Sequence, residues 1–217
     1  VREDLSRITM FITLEGPDGS GKTSQVQPLA EHLRSLGHAV FTTREPGGTA
    51  IGDQVRTILM SMKNTGMDPR TETLLFCSAR AQLVAEVIRP HLAAGEIVIS
   101  DRYADSTLAY QGYGHRNDLE QLRQILRFAT GGLQPDLTVL FDIEAEAGLK
   151  RRISGGGEWN RMDAYTIELH KRVRKGYLEM ANADPQRWKI IDASQPRDVV
   201  ESSLRSVVLD WLTSRSH

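Results

Sequence analysis

Short runs of consecutive apolar residues alternate along this chain with longer stretches in which apolar positions recur every three or four residues. Runs of the first kind read as strands buried on both faces, and stretches of the second as amphipathic helices. Ile8-Thr-Met-Phe-Ile-Thr-Leu14 is the first expected strand, followed by a Gly-rich turn and a helix from about Gly21 to Leu36. Gly37 ends that helix, His38-Ala-Val-Phe-Thr-Thr43 is a second strand, and a helix follows over about Ile51 to Met62. Asp68-Pro69 supplies an N-cap with proline at the first helical position. It opens a long helix whose expected core stripe is Leu74, Cys77, Ala81, Val84 and Ile88, with a kink at Arg89-Pro90 and an end at Gly95. Glu96–Ser100, Leu137–Phe141 and Lys189–Ile191 complete five strands, and a last helix covers about Pro196 to Leu212. This alternation predicts an α/β three-layer sandwich, a mostly parallel five-stranded sheet with helices on both faces. Ligands of such sheets bind at the carboxyl ends of the strands.

Composition narrows the class. The 217 residues suit a single domain with at most a small mobile appendage, and 40% hydrophobic with 25% charged residues supplies an ordinary core. A net charge of −1 argues against a nucleic-acid partner, which needs a basic surface to displace counterions. One cysteine, Cys77, excludes an intramolecular disulfide and fits a reducing compartment; within a helical pattern it reads as a small buried thiol. No apolar run approaches the roughly 20 residues of a membrane span. Val1–Arg7 has mixed charge and no apolar stretch, unlike a signal peptide. The expectation is a cytoplasmic protein with no membrane partner.

The chemistry lies at the strand ends. Gly16-Pro17-Asp18-Gly19-Ser20-Gly21-Lys22-Thr23 matches G-x-x-x-x-G-K-S/T between a strand and a helix. Glycines let the backbone wrap a phosphate so that several N–H groups meet its oxygens, and the helix N-terminus adds positive potential. Lys22 is expected to reach the β and γ phosphates of a nucleotide, and the Thr23 hydroxyl to coordinate Mg²⁺. The loop alone does not separate kinases from GTPases, ATPases or motors. No Asn/Thr-Lys-x-Asp follows a late strand, and no strand ends in Asp-Glu.

The third strand ends instead in Asp101-Arg102-Tyr103. A carboxylate there is placed to hold Mg²⁺, while Arg102 suits a second phosphate that must be neutralised in line with the first. Arg44, at the end of the second strand, leaves the same sheet edge. Three cations there suit two phosphate-bearing ligands meeting head to head.

Taken together, Gly16–Thr23, Arg44-Glu-Pro-Gly-Gly-Thr49, Asp101-Arg-Tyr103 with Ser106-Thr-Leu-Ala-Tyr-Gln-Gly112, and Pro135-Asp136 resemble bacterial thymidylate kinase, in order, over roughly Phe11 to Trp211. The resemblance implies a P-loop kinase fold, ATP with Mg²⁺ as donor, dTMP as acceptor and a homodimer formed through helix faces. It implies that Asp18 approaches the acceptor 3'-hydroxyl and that Arg44 and Arg102 hold the acceptor phosphate. Phe76 would stack on thymine, Arg80 would bond its O4, and Thr107 and Gln111 would lie near the base. Tyr110 would lie against C2' and disfavour ribose. Phe76 and Arg80, four apart, share a helix face.

The resemblance also implies a lid over about 150–163, where three glycines stand between basic residues, and leaves residues 1–9 as an upstream start or a flexible arm. Gly19 occupies a loop position where some relatives carry arginine, so the catalytic cation is expected from the lid. Asn160 precedes Arg161 where family lids often read Asp-Arg; Arg161 is the first choice over Arg151 and Arg152. Two other readings stay open: a kinase for dUMP or a deoxynucleoside, and a nucleotide-dependent binding switch.

Overall fold

The structure, a computed structural model, describes residues 8–155 and 160–214. Residues 1–7 of the expected arm and 156–159 of the expected lid lie outside them. Strands β1 (Met10–Glu15), β2 (Val40–Arg44), β3 (Ile97–Asp101), β4 (Leu137–Asp142) and β5 (Trp188–Asp192) form one sheet in the order β2-β3-β1-β4-β5. Every pairing is parallel.

Both faces of the sheet are covered, which is why the strands read as nearly continuous apolar runs. Met10, Ile12 and Leu14 of β1 pack on Leu29 and Leu33 of α1 (Thr23–Ser35) and on Leu204 and Val208 of α9 (Arg197–Ser214). Phe11 and Val98 face the other way, against Leu83, Val84 and Ile88. On that same face Leu140 and Trp188 meet Val173 and Tyr177 of α8 (Ile167–Ala183). Each such side chain contributes about 1.5–3 kcal/mol by leaving water. Helices α2 (Ala50–Met60), α5 (Ala104–Thr107), α6 (Leu119–Thr130) and α7 (Ala145–Ser154) complete the layers. Helix α5 runs on as a π-helical segment, Leu108–Gly114. No helix among the described residues is long and apolar enough to cross a membrane.

The long helix departs from its expected course in two ways. Helix α3 (Pro69–Leu83), capped by Asp68 Oδ1 accepting from the Arg70 N–H, passes through a π-helical turn (Val84–Ile88) into α4 (Arg89–Ala93). The irregular turn stands just before Pro90, whose missing N–H leaves the carbonyl four residues back without its helical donor. Leu74, expected in the core, is 55% exposed, and Ala81 is only half-buried. The buried face instead carries Thr73, Cys77, Arg80 and Val84. Arg80 is paired there with Glu45, so a charged residue occupies a core position that an apolar period cannot register.

The sheet register sets up the site. Leu14 and Arg44 both pair with Asp101 across β3, so the loop after β1, the end of β2 and the Asp101-Arg102 turn leave the sheet at one level.

Candidate active site

The loop after β1 is held by contacts that only glycine permits. Gly16 has φ +149°, and a Cβ there would lie 2.6 Å from the Phe141 carbonyl oxygen. Gly19 has φ +76°, and its Cβ would fall 1.9 Å from the Gly148 carbonyl oxygen of α7. In turn, a Cβ on Gly148 would stand 2.7 Å from the Asp18 carbonyl oxygen. The two glycines let the backbone of α7 rest on the loop itself. Gly16, Pro17 and Ser20 form the back of the turn, the Ser20 N–H donating to the Pro17 carbonyl (3.3 Å).

Lys22 is buried with Nζ donating to the Pro17 carbonyl (3.3 Å). Burial and the nearby Arg102 pull its ammonium down to about 8 against the pull of Asp101, Asp18 and Glu15. Thr23 opens α1 and donates from Oγ1 to Asp101 Oδ2 (2.5 Å), while Asp101 Oδ1 is buried with no hydrogen-bond partner. A buried carboxylate oxygen left bare beside a hydroxyl suits a hard divalent cation with oxygen ligands. Among the described residues no group of three or more His, Cys, Asp or Glu makes an all-protein metal cage.

Arg102 adopts φ +72°, a conformation costing a non-glycine residue about 1–3 kcal/mol. Its surroundings hold it there. The Tyr103 N–H donates to Glu15 Oε1 (2.8 Å), fixing the backbone just beyond. The guanidinium donates from Nη1 to the Gly16 carbonyl (3.1 Å), Ser106 Oγ (3.1 Å) and Tyr177 OH (3.2 Å). From Nη2 it donates to Asp18 Oδ1 (2.6 Å) and Tyr110 OH (3.3 Å), and Tyr110 OH donates to Asp18 Oδ2 (2.8 Å). Burial would raise Asp18, but Arg102, Lys22 and Tyr110 outweigh it and hold its carboxyl below the usual range. Behind Arg102, Glu15 accepts from Ser106 Oγ (2.6 Å) and Tyr177 OH (2.9 Å); burial, with Asp105 adding, pushes it up to about 7.

These groups border a cavity of about 510 Å³. Asp18, Gly19, Gly21, Lys22 and Thr23 of the loop line it, together with Arg44, Asp101 and Arg102. Phe76, Thr107, Tyr110 and Gln111 line it as well, so most of the residues singled out in the sequence meet around one space. Arg80 does not line it. Its side chain is 1% exposed; Nε and Nη2 bond Glu45, Nη2 also reaches the Tyr103 carbonyl, and Nη1 donates to Thr107 Oγ1 (3.0 Å). Arg80 thus acts behind Thr107 in this structure rather than on the cavity surface. Arg56 on α2 also borders the cavity, donating to the Pro46 carbonyl (2.9 Å); nothing in its local sequence distinguishes it from a solvated helix charge.

The arginines expected in the lid are placed differently from that expectation. Arg161, the first choice for a mobile cation, is 4% exposed in a 3₁₀ turn (Arg161–Ala164). Its Nη2 lies 2.5 Å from Glu72 Oε2, its Nε donates to the Leu59 carbonyl (2.8 Å), and its Nη1 donates to Tyr165 OH (3.1 Å). Pulling it out would strand a buried carboxylate, so Arg161 is tied to α3 and α2 rather than turned to the cavity. Arg151 donates to the carbonyls of Ala193 (2.6 Å) and Ser194 (2.8 Å), away from the cavity. Arg152 lines the cavity, its Nε and Nη2 each 2.8 Å from the carboxylate of Asp163.

Residues 14–204 match the family model described as thymidylate kinase. The chain belongs to the thymidylate kinase family. It is 48% identical to the thymidylate kinase of Herpetosiphon aurantiacus over 95% of this chain and 98% of that protein. Against the thymidylate kinase of Deinococcus radiodurans it is 48% identical over 92% and 96%. The crystal structure of thymidylate kinase from Ehrlichia chaffeensis superimposes with a TM-score of 0.75 at 34% identity, covering 93% of this chain and 99% of that one. In this member of the family Asp18, Lys22 and Thr23 of the loop and the cations Arg44 and Arg102 open on one cavity.

Proposed function

We propose that this chain transfers the γ-phosphoryl group of ATP to dTMP, giving dTDP, in one in-line displacement. The observation that carries the proposal is that Arg44 and Arg102 border the same cavity as Lys22 of the phosphate loop. A nucleoside kinase or a hydrolytic switch has no need of a second set of cations for an acceptor phosphate. Catalysis is then positioning plus neutralisation of charge, with little covalent work for the protein. Lys22 takes the β and γ phosphates, and Arg102, with Arg44, takes the acceptor phosphate. Asp18, kept ionised by Arg102, accepts from the 3'-hydroxyl of the acceptor sugar. Tyr110, locked by its bond to Asp18, fills the space a ribose 2'-hydroxyl would need. Phe76 provides the face for the base, with Arg80 acting on the base end of the cavity through Thr107. Thr23 and Asp101 would hold Mg²⁺, which when bound neutralises charge on the donor phosphates.

A coupled assay offering each nucleoside monophosphate with Mg-ATP tests the proposal: ADP formation should depend on dTMP. Slow hydrolysis indifferent to any acceptor would favour the switch instead. In the same assay Arg102→Ala should raise KM for dTMP about 10–100-fold, the loss of charge-assisted hydrogen bonds, and leave KM for ATP nearly unchanged. An equal rise for both nucleotides would take Arg102 out of the acceptor site.

We also infer a homodimer in a cytoplasmic setting. Leu74 of α3 and Phe128 of α6 are 55% and 89% exposed on helices that pack together through Cys77, Leu126 and Ala129. A second copy covering them gives a sedimentation coefficient of a dimer, and a monomer at micromolar concentration counts against it.

A further inference from the structure

We infer that Glu72, which does not line the cavity, decides which pyrimidine the cavity accepts by fixing which end of the Gln111 amide faces the base. This rests on the reading of the cavity as a site for a pyrimidine monophosphate.

Glu72 stands in the first turn of α3, almost wholly buried, with donors converging on both of its oxygens. Oε2 takes Tyr165 OH and Arg161 Nη2 (2.5 Å). Oε1 takes Gln111 Nε2 at 2.7 Å, with His115 Nε2 3.4 Å away. Burial alone would raise its pKa; His115, Tyr165, Arg161 and Gln111 together bring it down to about 2. Glu72 is therefore a carboxylate at neutral pH, and a carboxylate only accepts. The amide of Gln111 must turn its NH₂ toward Glu72, and its Oε1 turns the other way. Among the described residues no protein donor bonds that Oε1, and Gln111 lines the cavity. Phe76, which also lines it, lies one helical turn beyond Glu72.

A base lying against Phe76 thus meets a fixed acceptor. Thymine and uracil carry an N3–H that can donate to it. Cytosine has a bare lone pair at N3, so two acceptors would face each other with neither satisfied. A site built around one hydrogen bond rejects the analogue that cannot make it. The second oxygen of Glu72 makes the arrangement hard to reverse, because Arg161 and Tyr165 also require an acceptor.

That last point supplies the test. In Glu72→Gln the new amide must keep its carbonyl toward the Arg161 cation, so its NH₂ faces Gln111. Gln111 then has to turn its own carbonyl inward and present NH₂ to the base. The quantity to measure is kcat/KM for dUMP divided by that for dCMP, a pair that differ only around N3 and C4. General damage from unbalancing Arg161 cancels in this ratio. Wild type should favour dUMP by about 100-fold or more, in line with rejection by an unpaired polar group. Glu72→Gln should lower the ratio at least about tenfold, as one hydrogen bond exchanged for a mismatch implies. A folded Glu72→Gln variant with the wild-type ratio overturns the inference. Should thermal unfolding show that this variant does not fold, Gln111→Leu decides, since it leaves Arg161 and Tyr165 on Glu72. Loss of the ratio there supports the inference and its retention overturns it. A wild type that turns over dTMP while the variants keep the ratio sinks this inference alone; a wild type inert to every pyrimidine monophosphate takes down the proposed function with it.

Discussion

Arg152→Ala should lower kcat by about 10³–10⁵, the range of an arginine that stabilises charge on a phosphoryl group in transit, with little change in KM for dTMP. The case starts from the loop. Gly19 has no side chain, and Gly148 of α7 has none either, so the two backbones touch. Gly148 and Arg152 are four residues apart, on one face of α7. The face that rests on the phosphate loop therefore carries Arg152 beside the same cavity. Asp163, one of its partners, also accepts from the Asn160 N–H (3.0 Å) and Nδ2 (2.6 Å). That capping arrangement keeps the Asp163 carboxylate supplied with donors if Arg152 turns toward a phosphate. Single-turnover rates at saturating ATP and dTMP read the effect. Arg161→Ala should differ in kind: it unpairs buried Glu72, so the loss should appear mainly in Tm. If Arg161→Ala loses kcat at wild-type stability while Arg152→Ala turns over normally, the assignment is reversed.

Lys22→Ala should cost about 10²–10³ in kcat, the usual loss when one preorganised group facing developing charge is removed. The fold should survive, because the buried Nζ makes one hydrogen bond, to the carbonyl of Pro17, and leaves no carboxylate behind it unpaired: Asp18 keeps Arg102 and Tyr110, and Asp101 keeps Thr23. Circular dichroism and dTMP binding by calorimetry check that the variant is folded. Turnover within a few-fold of wild type would remove the loop from the chemistry. The sign of the pH effect follows from the same burial. Free Lys22 titrates near 8, and bound phosphates favour its charged form. ATP binding should thus take up protons as pH rises through 8, measurable in buffers of different ionisation enthalpy.

The five strands, their parallel sense and the helices flanking the first two were legible because strands covered on both faces read as apolar runs. The glycine turn of Gly16–Thr23 between β1 and α1 was legible because its tight backbone demands particular residues at fixed spacing within one short segment. The helices over Ala104–Thr107, Leu119–Thr130 and Ile167–Ala183 were not singled out. Buried Asp105 and Thr107 interrupt the apolar period of the first, and buried His170 that of the third. Leu74 was misplaced for the matching reason: the core face of α3 carries Arg80 and Glu72, whose burial is tolerable only because Glu45 and Arg161 arrive from elsewhere in the chain.

The sequence by itself determined the sheet, the glycine turn after β1 and which cations leave the sheet at its carboxyl edge, since each depends on neighbours along the chain. Tertiary structure alone decided where the three arginines expected in the lid are held. Arg151, Arg152 and Arg161 are alike as sequence, three cations around a glycine run. A carbonyl pair at 193–194 takes the first, the Gly19–Gly148 contact brings the second over the loop, and Glu72, 89 residues back along the chain, buries the third. A charged side chain goes where an opposite charge or a carbonyl can replace its lost water, and those partners come from distant segments that only folding brings together.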